Sequence, residues 1–223
     1  MKPFILCLCA AFLAFTATAQ SQPLPEARHR VSLQLGIAYP NGEYNSSSFE
    51  DDYPAFAREG LLLTGEYRYS LHKHWAAGVS VAYRNNGYDL DALVQSADEL
   101  VTAKDSEAWR SVFTLATLYY TLPLGSAELY AKGAAGASFN RSASWQVSTT
   151  YGNIRMPEDK ATALALGWAA GFNVPIRPLI VGFEAGILYT RPTFTVQDAQ
   201  GNPFRHRQPM HSFNTSVGLS YAF

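Results

Sequence analysis

Along most of this chain apolar residues recur at every second position, and that period of two excludes more folds than any other feature of the sequence. From Phe213 to Phe223, one side of an extended strand carries Phe213, Thr215, Val217, Leu219, Tyr221 and Phe223. The other side carries Asn214, Ser216, Gly218, Ser220 and Ala222. Successive side chains of a strand point to opposite faces, so an apolar row is backed by a small, polar one. A strand that stands between lipid and a packed barrel lumen needs this division. Beyond the first twenty residues no apolar run approaches the roughly 20 residues of a membrane-spanning helix. Apolar surface is spread by alternation instead.

The first residues read as an export signal. Lys2 supplies the positive region, Phe4 to Phe15 the apolar stretch, and Ala17-Thr18-Ala19 before Gln20 the small-residue cleavage site. Residues 1–19 are therefore expected to be removed, leaving residues 20–223 as one domain of ordinary size. The apolar stretch is too short for a retained anchor. A lipoprotein would need a small residue before its cysteine, and Cys9 follows Leu8. Both cysteines, Cys7 and Cys9, lie in the expected signal, so the mature chain is expected to carry no disulfide and no cysteine metal site. Charged residues make up 16% of the chain, against about 25% for soluble domains. A net charge of −1 gives no electrostatic footprint for nucleic acid.

Seven further segments alternate in the same way. Their outward candidates are Val31, Leu33, Leu35, Ile37 and Tyr39; Leu61, Leu63, Tyr67 and Tyr69; and Trp75, Ala77, Val79, Val81 and Tyr83. Further along come Leu129, Ala131, Ala135 and Phe139, then Leu164, Leu166, Trp168, Phe172 and Val174, then Leu179, Val181, Phe183, Ile187 and Tyr189. The segment from Trp109 to Thr121 is ambiguous: Phe113, Leu115 and Tyr119 favour one face, while Val112, Leu118 and Tyr120 favour the other. Trp109 is placed outside. No outward position is charged, consistent with a cost of about 2–4 kcal/mol for a lipid-facing Arg or Lys at the midplane. Aromatics gather at segment ends and predict two interfacial belts, one of Tyr67, Tyr69, Trp75, Tyr119, Tyr221 and Phe223, the other of Tyr39, Tyr83, Phe139, Tyr189 and Phe213.

Connections alternate too. Leu71 to His74, Pro123 to Ala127 and Pro175 to Pro178 are short, whereas 40–60, 85–108, 140–160 and 191–208 are long. An all-β, eight-stranded antiparallel up-and-down barrel has short periplasmic turns and long outer loops, and its even strand count leaves no edge in lipid.

These segments and turns, the expected signal and the terminal Ser220-Tyr221-Ala222-Phe223 together resemble the small eight-stranded outer-membrane barrels of the OmpA-like, OmpX-like and opacity-protein group. The likeness covers essentially the whole mature chain. It implies a Gram-negative outer-membrane location and a monomer. It also implies that Tyr221 and Phe223 act as a C-terminal signal to the barrel-assembly machinery. No binding motif comes with it, and the group spans membrane-stabilising proteins, adhesins and minor pores.

Inward positions include Gln34, Gly36, Ala38, Thr64, Gly78, Ser80, Tyr130, Gly136 and Gly186, together with the charged Glu66, Arg68, Arg84, Glu128, Lys132 and Glu184. An eight-stranded barrel is just wide enough for side chains to fill it. A filled lumen is expected, with Glu66, Arg68, Glu128, Lys132 and Glu184 paired and Arg84 nearer the outer mouth, because buried charges persist only when compensated. The competing expectation is a narrow, porin-like path for ions or small solutes.

Other chemistry is weakly supported. A serine hydrolase needs a histidine beside its serine, but the neighbours His211 and Ser212 point to opposite faces of a strand. No catalysis, cofactor or metal is therefore expected. His72 and His74 read as solvated turn residues, and Glu50, Asp51 and Asp52 as a solvated acidic loop without calcium-loop spacing. In the second long loop, Leu90, Leu93, Val94, Ala97, Leu100 and Val101 follow helical spacing and predict a short amphipathic helix packed on its own loops. In the fourth, Phe194, Val196 and Phe204 around Gly201-Asn202-Pro203 predict a protruding hairpin, with Arg205, His206 and Arg207 near its base. Outer-membrane lipid, lipopolysaccharide and an extracellular surface ligand are the expected partners. The role expected is structural or surface-interacting.

Overall fold

The computed structural model describes residues 28–48, 53–94, 100–176, 178–197 and 202–223. The expected export signal, the Glu50, Asp51 and Asp52 cluster, Ala97 and Gly201 lie outside the described residues. Eight long strands close into one antiparallel barrel: β1 (His29–Asn41), β2 (Ala57–Ser70), β3 (Trp75–Tyr88), β5 (Trp109–Leu124), β6 (Ala127–Arg141), β9 (Lys160–Ile176), β10 (Leu179–Thr190) and β13 (His211–Ala222). Each pairs with its predecessor. The seam closes where β1 meets β13, from Arg30 opposite Ala222 to Asn41 opposite His211. Phe223 extends it, donating its N–H to His29 O at 2.9 Å and accepting from His29 N at 3.1 Å. At 12 to 17 residues these strands exceed the 9–11 or so that a bilayer requires, so their outer ends stand above the lipid. Between β5 and β6, Gly125 takes a φ of +63°, which glycine adopts without penalty.

Seven of the eight rows face as their alternation predicts. Leu33, Val79, Leu164, Trp168 and Val217 are each more than half exposed on the outer wall, while their strand neighbours point inward. The row of β5 corrects the sequence-based assignment. Trp109 is buried, as are Phe113, Leu115 and Tyr119, whereas Val112, Leu118, Tyr120 and Leu122 are exposed. Tyr120 therefore replaces Tyr119 in the lower aromatic belt, its ring 5.1 Å from that of Trp75. Trp109 sits above the lipid, under the loops, where its indole N–H donates to Ala55 O at 3.0 Å. Its ring packs against Tyr44 and Phe194 at 5.9 and 5.8 Å.

The outer loops carry structure of their own. β4 (Val101–Glu107), β7 (Ser144–Thr149) and β8 (Gly152–Met156) form a three-stranded sheet that ties the second loop to the third. β11 (Thr193–Gln197) and β12 (Pro203–Arg207) form the hairpin expected of the fourth. The helix predicted in the second loop is limited to one turn, α1 (Leu90–Leu93), with Asp89 accepting from Ala92 N at its start. Val101 belongs to β4 instead. Backbone pairing with β7, which lies more than forty residues away in sequence, takes precedence there over the local apolar spacing.

Candidate functional site

The lumen divides into two storeys. Near the short turns, three acids and three cations interlock: Glu128 accepts from Arg30 and from Arg68, each at 2.9 Å, and Lys132 bridges Glu66 and Glu184, each at 2.8 Å. Neutral donors complete the carboxylates. Asn173 donates to Glu128 at 2.9 Å, Gln34 to Glu66 at 3.2 Å, and Tyr130 Oη to Glu184 at 2.9 Å. Tyr130 reaches Glu184 across Gly171, where an added Cβ would lie 2.5 Å from the phenol oxygen. The ring of Tyr119 forms part of the same floor, with the Arg68 guanidinium 5.2 Å and the Lys132 ammonium 5.9 Å from its centre. Charge is balanced among these six groups, which is what burial of ions requires.

The structure thus brings together Glu66, Arg68, Glu128, Lys132 and Glu184. It adds Arg30, which the sequence reading misses because it starts that strand's row at Val31. The even-numbered position of Arg30, in step with Gln34 and Gly36, is the signal that finds it.

Above the network lies an apolar layer of Ala38, Leu62, Ala82, Phe113, Leu115, Ala165 and Leu188. Between the two, a cavity of about 50 Å³ is bordered by Lys132 and Glu184 on one side and by Leu62, Leu115 and Leu188 on the other. Arg84 stands in the upper storey, at the outer mouth, fully buried and without a carboxylate within ion-pair distance among the described residues. Its Nη1 donates to Ser212 Oγ at 2.9 Å and its Nη2 to Ser111 Oγ at 3.4 Å. The guanidinium lies between two rings, 5.1 Å from the centre of Tyr44 and 5.0 Å from that of Phe113. Hydroxyls and π faces compensate it in place of an acid.

A lid closes over it. Tyr44, Ala55 and Ala57 of the first long connection, Ala143 of the third and Phe194 of the fourth pack with Trp109, at the start of β5, and Met210, just before β13, into one apolar cluster, with Tyr88 at the end of β3 against it. Burial pushes the Tyr44 phenol up to about 12, and the Arg84 charge pulls the other way. Tyr44 therefore stays neutral at ordinary pH.

The remaining candidates are placed apart from one another. Ser212 is buried and engaged by Arg84, while the ring of His211 lies on the outer wall 4.3 Å from that of Tyr189. His72 is exposed, and a ring nitrogen of His74 lies 2.9 Å from Thr121 O. Arg205 and Arg207 are exposed on β12. Tyr221 and Phe223 are about half exposed on the outer face, their rings 6.0 Å apart.

Residues 6–223 match the family model for the outer membrane protein beta-barrel domain. The chain belongs to that family. The barrel described above, closed by eight antiparallel strands, is that family's domain in this chain and is seated in the bacterial outer membrane. Among solved structures, a major outer membrane protein from Thermus thermophilus superposes with a TM-score of 0.52 at 14% identity, over 87% of this chain and 99% of that one. Neisserial surface protein A gives 0.47 at 15% identity, over 88% and 98%. Ail, the attachment invasion locus protein of Yersinia pestis, gives 0.47 at 17% identity, over 88% and 99%. At these identities the likeness is one of fold. No curated protein matches the sequence significantly.

Proposed function

We propose that this outer-membrane barrel is a closed, non-enzymatic protein with a structural or surface-interaction role, in envelope integrity or adhesion. The observation that carries this reading is the occupied lumen: a balanced ion network, an apolar layer above it, and Arg84 held under a lid of loop and strand-end residues. Such an interior supports rigidity and leaves recognition to the outer loops. The separation of His211 from Ser212 supports the absence of hydrolase chemistry. Export through a signal at residues 1–19, and Tyr221 and Phe223 as the signal to the assembly machinery, belong to the same proposal. The alternative is a narrow channel. The cavity beside Lys132 and Glu184 favours it, having the volume of one or two water molecules and Asn214 in its lining, but Leu62, Leu115 and Leu188 narrow the way upward and the lid closes it.

A deletion strain separates the two. Loss of envelope integrity or of surface adhesion, with small-solute uptake unchanged, is the expected outcome. Selective loss of uptake with integrity and adhesion intact would favour the channel.

A further inference from the structure

Strand register gathers one set of residues that the lumen does not use. Directly above the upper aromatic row, the outward positions on β5, β6 and β9 are Arg110, Arg141 and Lys160. Arg141 is the direct cross-strand neighbour of both others. Just past the end of the next strand, β10, stands Arg191, its guanidinium 5.1 Å from the ring of Tyr189. Three consecutive barrel strands and the end of a fourth therefore present a cation at the outer lipid boundary. The other half of the circumference is mixed: the outward positions just above Tyr39, Leu61, Tyr83 and Phe213 are Asn41, Glu59, Asn85 and His211, and its cation, Arg58, is exposed beside Glu59 at the bulge of β2.

Like charges placed opposite one another on adjacent strands repel, so the arc calls for anions. The protein supplies few. Glu107 approaches Arg110 at 3.7 Å and Glu158 approaches Arg141 at 3.4 Å, with the two arginine side chains still 40% and 48% exposed. Neither Lys160 nor Arg191 has a carboxylate within ion-pair distance among the described residues. Asp159, next to Lys160, is engaged by Thr195 N at 2.5 Å. Below the arc the wall is apolar and exposed, at Val112 and Phe139 first and then at Leu164 and Trp168 further down β9. A ligand that fits must carry several anionic oxygens above and hydrocarbon below. Arginine forks suit phosphate oxygens in this way.

We infer that the arc of Arg110, Arg141, Lys160 and Arg191 binds the phosphates of an outer-leaflet glycolipid, with its acyl chains lying on the Phe139, Leu164 and Trp168 face. This rests on the seating of the barrel in the outer membrane and is independent of whether the lumen conducts. The lipid contact is thereby placed on the barrel wall, on the side formed by β5, β6, β9 and the end of β10.

The test uses the full-length folded protein in zwitterionic micelles, titrated with bisphosphorylated lipid A and with the same lipid stripped of its phosphates. Wild type is expected to prefer the phosphorylated form. The double variant R141E/K160E is expected to lose about tenfold or more in affinity for it, because each basic group near an anionic surface contributes to binding. N41E/N85E, on the opposite arc, is expected to bind like wild type, and inorganic phosphate to leave binding unchanged. Equal affinity for the two lipids, an equal loss in N41E/N85E, or displacement by inorganic phosphate would overturn the inference. The heat-dependent gel mobility of the folded barrel is followed throughout. If R141E/K160E fails to fold, R141Q/K160Q replaces it, with a smaller loss expected and no loss counting against the arc. Absence of the mobility shift in wild type would count against the membrane barrel itself.

Discussion

The two storeys of the lumen are built on opposite principles. The lower one buries six charges and compensates every one of them with an opposite charge, so removing either shared group, Glu128 or Lys132, strands its two partners. The upper one buries one charge, Arg84, and compensates it with hydroxyls and aromatic faces. The difference teaches that a closed interior can be specified internally, by matched side chains of the barrel, or externally, by loops that fold back over it. Mutations should tell these apart, because a stranded ion is costly and an unpaired cation replaced by a hydrocarbon is not.

The largest effect is expected from Glu128→Gln, which leaves Arg30 and Arg68 without their shared acid. A loss of about 3–5 kcal/mol is expected, read as a lowered urea midpoint of the refolded barrel. Lys132→Met should follow closely, because Glu66 and Glu184 then face each other across the lumen uncompensated. In contrast, Arg84→Met should change stability by less than about 2 kcal/mol, since the desolvation of an unpaired guanidinium offsets much of what its hydrogen bonds and π contacts contribute. A loss in Arg84→Met equal to that in Glu128→Gln would erase the distinction between the storeys.

A smaller and more local effect is expected of Trp109→Ala. It removes the indole that Tyr44 and Phe194 pack against, so faster protease cleavage within the long loops is expected, with the urea midpoint of the barrel little changed. A large fall in that midpoint would mean that the lid and the barrel unfold together.

How much of this was legible depended on which contacts a segment answers to. Seven rows were readable because lipid and lumen ask for opposite residue types, so the alternation is written in polarity. The row of β5 was not, because Trp109, Phe113 and Tyr119 serve the lid, Arg84 and the ion network, all of which take aromatics inside the barrel. Polarity alone does not distinguish such a row from a lipid-facing one. Five of the six members of the lower network were likewise readable, since charges recur at inward parity, and Arg30 was missed because that row is read only from Val31. Which acid meets which cation was not: Arg68 and Glu128 are sixty positions apart and meet only across the closed barrel. The lid was invisible for the same reason, being assembled from residues scattered over three loops and the ends of strands, and the apolar spacing after Leu93 was overridden by pairing of β4 with β7.

The least effect is expected on the loop surface. The Lys104 hydrogen bond and charge hold the exposed Asp91 carboxyl below its usual range. Its folded-state value being depressed, the tie is present above the ordinary carboxylate range and is lost only as the pH falls through that lowered value. Asp91→Asn should therefore leave the urea midpoint of the barrel unchanged at neutral pH, and a clear shift would show that the loop sheet bears on barrel stability.

Whether the interior is closed is decided most directly by single-channel recording of the purified, folded protein in a planar bilayer. Silence, apart from brief and irregular events, is expected of wild type, with Leu115→Ala and Leu188→Ala in the apolar layer remaining silent while the lid is intact. A stable, reproducible open level in wild type would contradict the closed lumen.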